Sequence, residues 1–205
     1  MAFCDDDDLY VPDRLAMGIE GLERAPIAVC WLEPVGKGVT SKLGRGYRKG
    51  ENRILEGEVH DIILDRLPPH LGQVTLRRES MLAFAEPFSP AEDIEWWIRA
   101  TEVMRVATVP RTGYRLRRHD LPRQNFRHEI RVRTNRMILE THADYFAAHP
   151  RAAARRWRLQ ARFAERMGDR DLAKRALKTS IRLEPRPSTL YRLGRSLVPG
   201  LTIGA

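Results

Sequence analysis

A run of four aspartates, residues 5–8, stands near the start of the chain in the stretch MAFCDDDDLYVPDRL. Carboxylate oxygens are the ligands that hard divalent cations prefer. Without a cation or a helix N-terminus nearby, adjacent like charges repel one another. The run is therefore either a solvated charge run or a cation site. It is not an EF-hand, because the sixth and twelfth positions counted from Asp5 are Tyr10 and Ala16, where that loop needs Gly and Glu.

The residues around this run favour a site over a tail. MAFC resembles the end of a strand, because it is short and apolar and is followed by acids. Residues 11–24 place Val11, Leu15, Ile19 and Leu22 at helical spacing, and residues 27–32 (IAVCWL) predict a short buried strand. Strand, acidic turn, helix and strand in this order predict an α/β fold.

Further elements follow up to residue 118. The glycine-rich, basic stretch 34–53 predicts a long loop. We predict helices over residues 54–67, 79–84 and 90–102, and strands over residues 70–77, 105–109 and 113–118, the last two around a Pro-Arg-Thr-Gly turn. The helix over 90–102 opens with Glu92 and Asp93, which suit the positive end of a helix dipole.

Charge divides the chain into two parts. Residues 1–110 carry 13 Lys and Arg against 19 Asp and Glu, which is net −6, and residues 111–205 carry 23 against 8, which is net +15. The two cysteines, Cys4 and Cys30, lie in apolar surroundings, so we predict two buried thiols in a reduced protein. No apolar run reaches the roughly 18 residues of a membrane span, and we expect a cytoplasmic protein.

The basic part has a helical texture from about residue 125 onward. Its apolar, small and helix-breaking residues fall near the positions of a tetratricopeptide helix pair: Trp157, Ala161, Ala164, Gly168, Ala173, Leu177 and Pro185. Tyr191 follows Trp157 by 34 residues, which is the period of that repeat. At most one repeat and the start of another are present, so we predict a helical hairpin instead of a solenoid.

Four stretches in order resemble family 2 glycosyltransferases: FCDDDDLYVPDRL, HLGQVTLRRESM, PAEDIEWWIRA and VATVPRTGYRLRRHD. In that family a strand ends in an Asp-x-Asp turn that holds Mg²⁺ or Mn²⁺ against the diphosphate of a nucleotide sugar. The resemblance makes Asp5 and Asp7 the motif, with Asp7 as the first choice of direct ligand. Asp6 and Asp8 are neighbours that share the role.

The later motifs imply the remaining site residues. Asp93 corresponds to the catalytic base of inverting members, and Glu92 is its neighbour. Neighbours on a helix diverge, so we expect one of Trp96 and Trp97 to be buried and the other to line the acceptor cleft. The closing stretch makes three residues candidates for contacting phosphate or metal: Arg117, Arg118 and His119. Because side chains alternate along a strand, at most one of the two arginines faces the site.

The resemblance also implies the organisation of the chain. Residues 1–122 correspond to the C-terminal part of a GT-A sheet with flanking helices, and residues 123–205 to an all-α extension with the TPR-like hairpin. In the family a nucleotide-binding half precedes the acidic turn, so we expect it to be missing here and this chain alone to transfer sugar weakly or not at all. The implied partners are a nucleotide-diphospho-sugar donor and a saccharide or lipid-linked acceptor.

The basic part supports an alternative function. A sequence pI of about 10.1 is compatible with binding nucleic acid, an anionic membrane or a protein partner through a basic helical module. The arginines are spread around their helices and no recognition motif is visible, so we expect no specific nucleic acid. Contact of the tail with the inner face of the membrane would suit a lipid-linked acceptor.

Overall fold

The computed structural model describes residues 1–36, 39, 52–118 and 128–197, which belong to two compact units. The sheet unit comprises Met1–Ala85 and Asp93–Pro122. The helical unit comprises Glu86–Glu92 and Arg123–Ala205. The segment 86–92 thus belongs with the helices of the basic part, although the chain returns to the sheet unit after it.

A mixed four-stranded sheet organises the sheet unit. Its strands are β1 (Leu9–Tyr10), β2 (Ile27–Gly36), β3 (Val74–Leu76) and β4 (Val106–Arg118), in the order β1-β4-β2-β3. The central strands β2 and β4 are parallel, and the two outer strands pair antiparallel to them. The prediction of a mixed α/β class is confirmed.

The prediction of two strands around a turn at residues 110–113 is wrong, because β4 is one continuous strand. Its pairing with β2 shifts register at this point: Cys30 is opposite Val109, whereas Trp31 is opposite Thr112. Pro110 has no N–H to give to the ladder, so the irregularity falls where the proline would break it. Beyond it the strand resumes and carries Tyr114 towards the acidic turn.

Helix α1 (Arg14–Leu22) forms as predicted but buries a different face. Leu15 and Ile19 are exposed, while Arg14, Met17, Gly18 and Gly21 are buried. The glycines decide this, because a Cβ at residue 18 would lie 2.4 Å from Thr75 Oγ1, and the helix can approach the sheet closely only on that side.

The helix predicted over residues 54–67 is absent. Instead, Gly57 forms an antiparallel bridge with Val106. The Gly57 N–H donates to the Val106 carbonyl, and the Val106 N–H donates to the Gly57 carbonyl, both at 2.8 Å. Gly57 has φ +78°, which suits glycine. Leu55, Val59 and Ile63 are nevertheless buried. Their spacing of four residues imitates a helix, although an irregular segment along the edge of β4 buries them.

Around β3 the predictions are confirmed in part. The predicted strand over 70–77 is a 3-10 turn (Leu71–Gln73) followed by β3, and in place of the helix over 79–84 there is a 3-10 turn (Arg78–Ser80). The first residues flank β3 through a single bridge from Ala2 to Thr75. Helix α2 (Glu92–Val103) forms close to its predicted bounds.

The helical unit contains, within the described part of the chain, helices α3 (His128–Thr141), α4 (Ala143–Ala148), α5 (Pro150–Met167), α6 (Arg170–Leu183) and α7 (Pro187–Leu197). Gly168, at φ +80°, ends α5, and Asp169 caps α6 by accepting a hydrogen bond from the Leu172 N–H. Ala161, Ala176 and Leu177 form a core on which Trp157 and Leu193 pack. None of the described helices is long and apolar enough to cross a membrane.

Candidate functional site

The acidic turn lies where the N-terminal segment enters the sheet. Strand β1 pairs with β4 so that Tyr10 is opposite Tyr114. Within the turn, the Asp8 N–H donates to the Asp5 carbonyl at 3.2 Å. This local bond and the β1–β4 pairing hold the aspartates beside the residues that follow the bulge in β4.

Asp8 is the anchored member of the run. It is only 7% exposed. The Tyr114 hydroxyl donates to its Oδ2, and the Arg117 N–H donates to its Oδ1 at 2.7 Å. Burial, together with the hydrogen bond to the Asp8 carboxylate, raises the pKa of Tyr114 well above its ordinary value, so the phenol remains a donor at physiological pH. Both carboxylate oxygens of Asp8 therefore have fixed positions.

His70 completes the group. Its Nδ1 accepts a 3.2 Å hydrogen bond from the Gly72 N–H, so in the neutral ring the proton is on Nε2. Nε2 lies 3.8 Å from Asp5 Oδ2, and the ring stacks on Tyr114 with 5.5 Å between centroids. One ligand atom each from Asp5, Asp8 and His70 lies within 4.8 Å of the other two.

The donor chemistry of this group fits a hard cation through its oxygens. Each carboxylate oxygen has two lone pairs, so Asp8 can still accept one more partner at each oxygen after binding Tyr114 and Arg117. His70 does not fit as a ligand in this arrangement, because Nε2 carries the proton; it is a hydrogen-bond donor. Exposed acidic groups of this kind also occur without a metal.

The pKa of Asp5 reflects first its surroundings and then the charge of its neighbours. Partial burial raises the pKa of the Asp5 carboxyl, the nearby His70 imidazole lowers it, and the carboxylates of residues 6–8 raise it further, so that the net shift is upward. Asp5 itself is exposed. A positive charge beside Asp5 would remove this penalty.

The structure places the other two aspartates outside this group. Asp6 is exposed at the tip of the turn, and Asp7 is half-buried. Among the described residues, the set within ligand distance contains Asp8 where the motif carried over from the family has Asp7. Sequence reasoning did not find His70 or Tyr114, because nothing in their local spacing signals that the sheet brings them to the acidic turn.

A buried arginine lies next to the site and was also missed. Arg14 is 1% exposed and makes hydrogen bonds to the Thr75 hydroxyl at 2.7 Å and to the carbonyls of Val74 and Gly72 at 2.8 and 3.3 Å. Its guanidinium lies 5.2 Å from the centroid of the Tyr10 ring, which in turn packs on Tyr114. Arg14 thus fixes the segment that follows His70.

The carboxylates at the start of α2 lie outside the Asp5 group. Asp93 is half-buried, and its Oδ1 accepts a 2.8 Å hydrogen bond from the Ile94 N–H, which is a local contact at the helix start. Glu92 belongs to the helical unit, and its Oε2 has no hydrogen-bond partner among the described residues.

The prediction that one tryptophan of α2 lines a cleft is wrong. Trp96 and Trp97 are both fully buried. The Trp96 Nε1–H donates to the Leu82 carbonyl at 3.1 Å, and the Trp97 Nε1–H donates to the Pro69 carbonyl at 2.9 Å. Adjacent helical residues can both be buried here because α2 has apolar surroundings on two sides, and each indole finds a main-chain acceptor.

The basic residues at the end of β4 differ in their positions. The Arg117 side chain is exposed while its main chain binds Asp8, and Arg118 is half-buried. His119 lies outside the described residues. The structure therefore brings one of the three predicted phosphate-contacting residues, Arg117, to the acidic turn through its backbone.

Comparisons with protein-family models, with curated proteins and with solved structures find no match for this chain.

Proposed function

We propose that the sheet unit is part of an inverting, metal-dependent glycosyltransferase of the GT-A type. The observation that carries this proposal is the approach of the Asp5 and Asp8 carboxylates to within 4.8 Å of one another at the acidic turn, with His70 beside them as a hydrogen-bond donor. The order of the four motifs supports it, because it places a carboxylate-bearing helix, α2, after the acidic turn and the strand β4 after that helix.

In this proposal Asp5 and Asp8 hold Mg²⁺ or Mn²⁺, with Asp6 and Asp7 adding negative charge nearby. The ion would neutralise the diphosphate leaving group of a nucleotide-diphospho-sugar. His70 would donate its Nε2 proton to a phosphate oxygen, since its Nδ1 is already occupied by the Gly72 N–H. Arg117, whose N–H binds Asp8, and its neighbour Arg118 are candidates for additional phosphate contacts.

Asp93 supplies the base. An acceptor hydroxyl, on a saccharide or a lipid-linked acceptor, loses its proton to the Asp93 carboxylate as its oxygen forms a bond to the anomeric carbon. The bond from that carbon to the phosphate oxygen breaks, and the nucleoside diphosphate leaves with the electron pair. Glu92 remains a neighbour of the base in sequence.

Cation binding tests the proposal most directly. We expect Mn²⁺, followed by its paramagnetic resonance signal, to bind the whole chain and to promote binding of inorganic pyrophosphate, the simplest diphosphate probe. Asp5→Asn should weaken Mn²⁺ binding about tenfold or more, because it removes a charged oxygen ligand. Asp6→Asn is the matched control, since it removes the same charge one residue away and outside the group.

Equal weakening by the two variants would mean that Mn²⁺ responds only to the total charge of the run, and the site would be rejected. The catalytic role has a separate readout. Asp93→Asn should leave Mn²⁺ binding intact and, in a form completed by the nucleotide-binding half that the resemblance implies, reduce release of nucleoside diphosphate from nucleotide-diphospho-sugars about 10²- to 10⁴-fold. Unchanged release in this variant would remove Asp93 from the mechanism.

We infer for the helical unit that α5 and α6 form a TPR-like hairpin. The support is the helix–turn–helix at Gly168 and the burial of Ala161, Ala164, Ala173 and Leu177, which are the small and apolar positions of the pattern. A cytoplasmic location, with the basic tail at the inner face of the membrane, is the setting that this combination would suit.

A further inference from the structure

Five arginines of the helical unit gather around one face of α5. Arg158, Arg162 and Arg166 are four residues apart, so they lie in a row on this helix with about 6 Å between successive positions. Arg192 of α7 reaches Glu165 in the same row, and Arg186, between α6 and α7, reaches Glu184. We call these five residues the arginine face: Arg158, Arg162, Arg166, Arg186 and Arg192.

Carboxylates neutralise only part of the arginine face. Glu165 Oε2 is 2.7 Å from Arg192 Nη2. Glu184 is shared, with its Oε2 at 3.0 Å from Arg158 Nη1 and its Oε1 at 2.8 Å from Arg186 Nη2. Two carboxylates for five arginines leave an excess of three positive charges on this face.

Arg162 and Arg166 take part in none of these ion pairs. Neither side chain has a hydrogen bond or an ion pair with any residue that the structure describes. Partial burial, followed by the proximity of Arg192 and Arg166, lowers the pKa of Arg162, and the nearby Glu165 carboxylate opposes this. Burial also lowers the pKa of Arg158, although Glu184 opposes this. The guanidinium groups stay charged at any physiological pH, so the repulsion persists in the isolated protein.

An excess of like charge that the neighbouring carboxylates only partly neutralise is typical of a binding site. We propose that the arginine face binds an acidic segment of a partner protein through its Asp and Glu side chains. Arginine is suited to this because its planar guanidinium donates two parallel hydrogen bonds to a carboxylate. The inference concerns the helical unit alone and is independent of the transfer reaction proposed for the sheet unit.

Two features favour an acidic peptide over nucleic acid or membrane. Glu165 and Glu184 interrupt the arginine face, and a continuous row of phosphates would meet these carboxylates, whereas a peptide can place its acids between them. The same α7 that contributes Arg192 exposes Leu190 by 50% and Tyr191 by 67%. Exposed apolar and aromatic side chains on the helix that also contributes Arg192 fit a peptide with mixed acidic and apolar residues.

The first test is a titration of the whole chain into a fluorescein-labelled peptide of six glutamates, followed by fluorescence anisotropy. We expect saturable binding that weakens with added salt. Arg162→Gln should raise the Kd about tenfold, the loss of one charged hydrogen-bonded contact. Arg175→Gln is the matched control, because it removes the same charge from an exposed position of α6 and should change the Kd less than twofold.

Stability separates binding from a structural role. Because Arg162 has no hydrogen bond or ion pair among the described residues, and Arg192 and Arg166 repel it more than Glu165 attracts it, Arg162→Gln should keep or raise the Tm of the chain while binding is lost. Glu165→Gln should tighten peptide binding, since it frees Arg192 and increases the positive excess. A fall in Tm for Arg162→Gln, or weaker peptide binding for Glu165→Gln, would overturn the proposal.

The nature of the partner is tested in the same assay. A labelled thymidine oligonucleotide with six phosphates and vesicles containing phosphatidylserine are compared with the peptide at physiological salt. We expect the peptide to bind most tightly. Tighter binding of the oligonucleotide or of the vesicles, equal losses for Arg162→Gln and Arg175→Gln, or no saturable peptide binding would each reject an acidic peptide as the ligand.

Discussion

The sheet unit and the helical unit use their polar side chains in different ways. In the sheet unit, side chains take the place of neighbouring strands: the amide of Asn52 donates to the Leu32 carbonyl and accepts from its N–H. Arg24 donates a 2.8 Å hydrogen bond to the Thr108 carbonyl, and the Thr108 N–H donates a 2.9 Å hydrogen bond to the Glu56 carboxylate. In the helical unit the helices satisfy their own backbone, and exposed arginines such as Arg162 and Arg166 have no ion pair with a carboxylate among the described residues.

Because of this difference, the role of a charged residue has to be inferred from the groups that surround it. Where side chains complete a sheet, a charge is first of all structural, as with Arg14, which is buried among neutral acceptors. Where helices are complete without them, a charge such as Arg162, which has no hydrogen bond or ion pair in the described part of the chain, is the basis on which we propose a ligand. The same residue type therefore supports opposite inferences in the two units.

Arg14 and its neighbour Leu15 give the sharpest test of this comparison. Arg14→Ala should lower the free energy of unfolding by about 3–5 kcal/mol, because it removes a buried cation and leaves buried acceptors at Gly72, Val74 and Thr75 unpaired. Leu15→Ala should change it by less than about 0.5 kcal/mol, since Leu15 is exposed. Urea unfolding measures both. Similar losses for the two variants would show that Arg14 has no special structural role.

The same pair shows what local periodicity can and cannot predict. The spacing of Leu15 and Ile19 correctly indicates a helix, and the long apolar run at residues 27–32 correctly indicates a buried strand. The buried face of α1 was mispredicted because close glycine contacts with the sheet, at Gly18 and Gly21, outweigh the burial of two leucine-sized side chains. Such contacts depend on residues far away in the chain, and a single sequence does not reveal them.

The candidate site was predictable only in its local part. The acidic run is visible in the sequence, but the selection of Asp8 depends on Tyr114 and on the Arg117 N–H, more than a hundred residues later. Their approach follows from the register of β4, which shifts at the bulge. His70 is brought in by the turn before β3. Tertiary pairing therefore decides which aspartates act together.

Two glycines of the helical unit test whether its helices follow local rules alone. Gly168 has φ +80° at the end of α5, so Gly168→Ala should lower the free energy of unfolding by about 1 kcal/mol, although the added Cβ would meet nothing within 4 Å. Gly194, inside α7, is also free of neighbours, so Gly194→Ala should stabilise by about 0.5–1 kcal/mol. Thermal unfolding followed by far-UV circular dichroism measures both, and shifts of the same sign would contradict the local account.

The reactivity of the two cysteines tests the burial of the sheet unit at its edge, at Cys4, and at its centre, at Cys30. Both were predicted to be buried; Cys30 is, whereas Cys4 is exposed, because the first residues only flank β3. In the native chain iodoacetamide should therefore alkylate Cys4 and spare Cys30, whose pKa is also raised by burial. In urea the two should react alike, and equal native rates would contradict the structure.

The acidic turn should still slow the reaction of Cys4. Slight burial and then the carboxylates of Asp8 and Asp5 raise the pKa of the Cys4 thiol, while Arg14 opposes them. A raised pKa means less thiolate at a given pH, so the alkylation rate at pH 8 should lie below that of a free thiol and climb as the pH rises further.

Asp5→Asn should speed the reaction about twofold at pH 8 by removing one nearby negative charge. Asp61→Asn, an exposed change that is not among the charges acting on Cys4, is the control and should leave the rate unchanged. Equal rates in the two variants would mean that the charge of the turn does not reach the edge of the sheet, and the electrostatic coupling assigned to this region would be wrong.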